Sequence, residues 1–246
     1  MWSGGSQRLW VVLVGLLTRV QRNMAGHLEY FQDDRYGDLT QILDRCLLET
    51  CVKIRWISAD RTEERLRRYF EDSLRADNEL FQEIQRNIAS RGGTLNNIEQ
   101  RMLRSIEHNV LGAGLSMNDL GTSRKLPPLA TLISDIGERR FIYTVIGKIS
   151  SHAVHGTWAN LLYCYLEGDD VESMHPATAF PPPHVNQYVM NCLFVLDALK
   201  AYLVLNFSES EEREYLTEII TSHHQEIMEL YVEVVGEDFE PTPQTE

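Results

Sequence analysis

Tyr36-Gly-Asp-Leu-Thr-Gln-Ile-Leu-Asp-Arg-Cys-Leu-Leu-Glu-Thr-Cys-Val-Lys-Ile-Arg-Trp-Ile57 is the stretch whose pattern sets the fold class. Leu39, Leu43, Cys46, Leu47, Thr50, Ile54 and Ile57 recur at three- and four-residue intervals, which aligns them on one face of an α-helix. Asp60 and Thr62 interrupt the run.

The same period continues on the C-terminal side. A second helix is expected from Thr62 to Ala89, with Leu66, Phe70, Leu74, Ile84 and Ile88 inward and Glu63, Glu64, Arg67, Arg68, Glu71 and Arg75 on a solvated face. Gly92-Gly93 ends it, because paired glycines supply the left-handed geometry of a helix stop. A third helix is expected from Asn96 to Val110, a Gly- and Pro-containing surface connection to Pro128, and a short helix from Leu129 to Ile136. Glu138 to Leu166 is apolar around most of its circumference, so it is the expected bundle axis, with Gly156 at a close helix crossing. Phe180-Pro-Pro-Pro183 makes residues 168–183 a long loop. Val185–Leu205 and Glu209–Val235 form a helical pair, the latter turning Leu216, Ile219, His223, Ile227 and Leu230 inward. No strand-period alternation bounded by hairpin turns is evident. The expected architecture is all-α, a single irregular bundle of about seven helices.

That domain is expected to span residues 27–236, followed by a disordered acidic tail at 237–246. Residues 1–26 read as a flexible or extraneous N-terminal extension. Its apolar run, Leu9–Leu17 between Arg8 and Arg19, is too short to span a bilayer. With 36 acidic and 23 basic residues the formal charge is −13, which argues against a broad surface for nucleic acid or anionic lipid. The 4 cysteines lack Cys-x-x-Cys spacing and stand among apolar neighbours, as free thiols of a cytoplasmic protein do.

Candidate chemistry concentrates in two places. Ser151 stands four residues before His155, among Ile146, Ile149, Val154 and Trp158. Arg45 and Glu49 are four apart on the first helix, where an ion pair would fix helix register. If Glu49 faced His155 across the bundle, its carboxylate would orient the imidazole. Arg45, Glu49, Ser151 and His155 are therefore the candidate catalytic set, with Tyr69 and Tyr143 as candidate binding residues. His152 and His155 are three apart, His223 and His224 adjoin, and Glu49, Asp197 or Glu226 could contribute carboxylates, but the Glu-x-x-His spacing of di-metal bundles is absent around His152 and His155, so a metal site is not expected. There is no Gly-x-Ser-x-Gly elbow, phosphate loop or dinucleotide fingerprint, so no cofactor is expected.

Arg45-Cys-Leu-Leu-Glu49, Glu64-Arg-Leu-Arg-Arg-Tyr-Phe70, Leu126-Pro-Pro-Leu-Ala-Thr-Leu-Ile-Ser-Asp-Ile-Gly137, Tyr143 and Ser151-x-x-x-His155 occur in this order over Leu43–Leu166. In this the chain resembles the domain-of-unknown-function family five-six-seven-seven. The resemblance implies a helical, mainly prokaryotic intracellular protein with no assigned activity. Arg45, Glu49, Tyr69, Tyr143, Ser151 and His155 match its pattern, whereas Gly156-Thr157 stand where a small or Pro-Ser pair is expected. The functional expectation is a non-enzymatic interaction or regulatory module with a protein partner; resemblance to other helical families suggests a defence or stress setting. The alternative is a metal-independent endoribonuclease similar to the HEPN type, in which an Arg holds phosphate and a His moves a ribose proton; Arg101 and His108 have the spacing.

Overall fold

In the computed structural model, which describes residues 4–32, 35–60 and 62–235, the repeat after Tyr36 becomes α2 (Gly37–Ser58). Leu47, Leu48, Cys51, Val52 and Ile54 are all 0% exposed, so α2 is covered on more than one face. Its neighbours are α1 (Gly4–Gln32), α6 (Leu129–Asp135), α8 (Ile149–His155) and α10 (Val185–Asn206). Among the described residues the fold is all-α, 76% helical. Its strands are β1 (Leu166–Glu167) and β2 (His175–Pro176), an antiparallel pair within the long loop expected at 168–183 and its leading edge.

The described residues form two compact units. The first takes the chain up to Ala59 and from Leu129 onward; the second is Asp60–Pro128. Leu9, Leu13, Leu16 and Val20 of α1 are buried, and α1 packs on α2, so the apolar run is one face of a core helix. The tail expected at 237–246 lies outside the described residues.

Glu138–Leu166 is not the axis. Its helix starts at α7 (Arg140–Ile142), widens into a π-turn at Tyr143–Lys148 and runs on as α8 to His155. Gly156, at φ +55°, is a left-handed stop, not a helix crossing. Thr157 then restarts the chain as α9 (Trp158–Cys164). α10 is apolar enough, at mean hydropathy 1.6, and long enough to cross a membrane by those measures alone. Here it packs against α2, α1 and α11 (Glu211–Val235). On α11 the expected face is met in part: Ile219 and Ile227 are half-buried, with Thr217, Ile220 and His224 beside them, whereas Leu216, His223 and Leu230 are exposed.

In the second unit the expected Thr62–Ala89 helix is two, α3 (Glu64–Ser73) and α4 (Arg75–Ser90), broken at Leu74. Ser73 Oγ donates to Tyr69 O one turn back, a bond that bends helices. The break lets Leu74 join Ile84 of α4, Ile106 and Val110 of α5 (Asn97–Gly112), Ala113 and Leu120 in one core. An ion network closes the unit: Arg124 donates to Glu71 at 2.6 Å and Glu64 at 2.6 Å, and Arg67 to Glu71 at 2.9 Å.

Burial alone would raise the Glu71 carboxyl, but the hydrogen bonds and charge of Arg124, with the bond from Arg67, hold it below its ordinary value. A carboxyl lowered on folding stabilises above its unfolded value, near 4.5, and that contribution fades as pH falls through the lower folded value. Glu71→Gln is expected to lower the thermal midpoint of the full chain near neutral pH, and the gap from wild type to narrow as the pH is taken well below 4.5. Thermal unfolding followed in both pH ranges checks this; an equal gap in both would remove the ion network as its cause.

Candidate functional site

The four-residue cluster expected around His155 does not form. Arg45 Nε does pair with Glu49 Oε1 at 2.7 Å, and Lys53 lies 3.5 Å from Glu49 Oε2, all three being half-buried. Arg45 also donates to the Gly147 carbonyl within the π-turn. Tyr143 packs on the same glycine, where an added Cβ would meet its ring at 3.0 Å. So Arg45, Glu49 and Tyr143 come together. His155, in contrast, is exposed, and Ser151 is half-buried. Among the described residues no hydrogen bond or ion pair joins either to Arg45 or Glu49.

The physical reason is the π-turn. A turn that closes from i to i+5 takes up one residue more than an α-turn and shifts the face presented by everything after it. The serine that points inward is therefore Ser150, fully buried and bonded to the Ile146 carbonyl. Tyr69 belongs to α3 in the second unit, its ring centroid 6.0 Å from that of Phe70. Arg101 and His108 are both exposed on α5.

A different buried polar group ties the first unit together. Asp44 of α2 is 0% exposed; its Oδ1 is 2.7 Å from His27 Nε2 of α1 and accepts from Asn191 Nδ2 of α10 at 2.5 Å. Tyr188 stacks with Phe31 at 4.9 Å and lies 5.3 Å from the His27 ring, shielding the imidazole. Asp44 Oδ2, His27 Nδ1 and Asn191 Oδ1 have no partner among the described residues. Sequence reasoning passed over all three. The available signal was a carboxylate, Asp44, three and four residues before the core positions Leu47 and Leu48.

Beside this network is a cavity of about 390 Å³. Gln41 and Gln187, which line it, stand one helical turn from Asp44 and Asn191 on the same two helices. Asn160 of α9 and Asn186 of α10 add two more carboxamides, and Val145 and Ile149 an apolar wall. Tyr163 and His184 border it as a ring pair, with Tyr163 Oη 2.7 Å from His184 Nε2. His152, also lining, is held through Nδ1 to Thr157 Oγ1 at 2.7 Å. Cys164 sits behind Gln41 and Asn160, and burial pushes its thiol up, with the nearby Asp38 carboxylate adding to the rise. That disfavours a thiolate nucleophile there. Among the described residues no group of three His, Cys, Asp or Glu is arranged to hold a metal ion.

The loop after β2 closes onto the start of α2. Gly37 N–H donates to Pro181 O at 2.8 Å, and Phe180 packs on Tyr36 with ring centroids 4.7 Å apart. Tyr36 itself has φ +63°, a strained value for a residue with a side chain. Below, Tyr165 Oη donates to Asp38 Oδ2 at 2.8 Å, and burial, reinforced by that carboxylate, pushes the phenol up to about 12.

Two substitutions test this account. Asp44→Ala leaves a buried imidazole and amide unpaired and is expected to cost about 3–5 kcal/mol in denaturant unfolding. Replacing His27, Asp44 and Asn191 together by Phe, Leu and Leu should recover most of that loss, and a triple variant as unstable as the single one would contradict it. At Gly37 an added Cβ would strike the Pro182 carbonyl. Gly37→Ala is therefore expected to free the 177–183 segment, read as faster proteolytic cleavage there with the helical circular dichroism unchanged.

Neither a curated protein nor a solved structure matches the chain. A family model does match, over residues 11–174, well over half the chain and including most of α1, all of α2 and the whole second unit. The chain belongs to the family of unknown function DUF5677.

Proposed function

We propose that this protein is a non-enzymatic interaction module of a regulatory kind, which docks a protein partner on the surface formed by α8 and α9. The observation that carries this is an excess of uncovered apolar side chains. Val154 is 47% exposed, Trp158 54%, Leu161 38% and Leu162 38%. Scattered apolar residues are normal on a monomer's surface, but a concentration of large ones that includes a tryptophan is characteristic of an interface. It arises from the fold itself: the stop at Gly156 turns α9 away from the line of α8, so side chains suited to a continuous buried helix face outward.

The endoribonuclease reading has less support. General acid–base cleavage needs a histidine within hydrogen-bond reach of the groups that share its proton. His155 and His108 are exposed, and neither is hydrogen-bonded among the described residues. The acidic balance of the chain works against holding RNA.

A photo-crosslinking amino acid placed at Leu162 and activated in the native cells should give one discrete protein adduct. The same probe at Arg86, exposed in the second unit, should not give it. Trp158→Asp is expected to abolish the adduct from Leu162 with the thermal midpoint unchanged. Purified protein that degrades RNA only while His155 or His108 is intact would overturn the proposal.

A further inference from the structure

The cavity beside the Asp44 network has a chemistry independent of the docking surface. Four of its lining side chains are carboxamides: Gln41, Asn160, Asn186 and Gln187. Among the described residues no Lys, Arg, Asp or Glu lines it; His152 and His184 do. Three of the four carboxamides are under-used. Gln41 and Asn160 are only 6% and 4% exposed, yet the hydrogen bonds recorded for their amide groups run to Cys164 Sγ, at 3.9 and 3.4 Å. A thiol is a weak acceptor, so these donors gain from a better one. Gln187 Oε1 is a buried acceptor with no partner among the described residues. A buried amide group left this way costs free energy.

Carboxamides carry a donor and an acceptor side by side, which matches the paired donor–acceptor edge of a nucleobase. Val145 and Ile149 give an apolar wall, and Tyr163 with His184 an aromatic border, the surfaces against which an unstacked base is held. At about 390 Å³ the cavity is at the small end of ligand sites, roughly 300–1,000 Å³, which suits one heterocycle with or without its sugar. The missing cations argue against a phosphate. We infer that this cavity, lined by Gln41, Asn160, Asn186 and Gln187, is a binding site for a neutral nucleobase or nucleoside.

Calorimetric titration of the full chain with adenosine, guanosine, cytidine and uridine, and with their 5′-monophosphates, tests it. At least one nucleoside should bind saturably, and its monophosphate no more tightly. Gln187→Met removes the unpaired acceptor and should weaken binding about tenfold, the effect of one hydrogen bond. Ala159→Phe fills the cavity from an exposed lining position and should abolish binding while thermal unfolding without ligand stays as in wild type. The inference falls if no nucleoside saturates the folded protein, if both variants bind as wild type does, or if affinity depends on the phosphate.

Discussion

A carboxylate shut away from water governs the first unit. Asp44 is enclosed in α2, and removing a charge from solvent is favourable only with partners that replace its hydration. Those partners come from elements far apart in the chain, His27 on α1 and Asn191 on α10. Apolar contacts between helices tolerate sliding, whereas a short directional bond to a buried oxygen does not. The pairing of α1 and α10 with α2 is thus fixed in register, and with it the position of Gln41 against Gln187, which faces the cavity.

The π-turn at Tyr143–Lys148 does the complementary work on the other side of α2. It brings the Gly147 carbonyl to Arg45, keeps Tyr143 against that glycine and turns Ser150 inward. The same shift leaves Ile149 and His152 facing the cavity and Val154 facing outward. Two surfaces of different character, one amide-rich and concave and one apolar and exposed, therefore share a short run of chain.

Much of this architecture was legible in sequence. α2 follows its three- and four-residue spacing almost to the residue, and α5, α6 and α10 do likewise, because a long amphipathic or apolar run has few other ways to be buried. The failures have local causes. Periodicity counts residues at a fixed pitch and is blind to a turn that absorbs an extra one, which displaced Ser151 and His155 from the interior. Gly156 was read as packing space, yet its positive φ ends the helix. The apolar run at Leu9–Leu17 was too short for a membrane and looked extraneous, although burial on α2 requires only one face of it. Of the candidate site, the Arg45–Glu49 pair was visible through its spacing within one helix. His27, Asp44 and Asn191 were not, since contacts across 17 and 147 positions leave no local pattern.

The first unit is discontinuous: Asp60–Pro128 separates α2 from the elements that cover it. During synthesis on the ribosome, α2 emerges with only α1 to shelter it, while α8 and α10 are still untranslated. The second unit, by contrast, draws its core from one unbroken segment and can close as soon as that segment is free. Until α8 and α10 are made, the nascent chain carries the bare apolar flank of α2 ahead of the insert, and in that interval it is most exposed to aggregation and most dependent on chaperones.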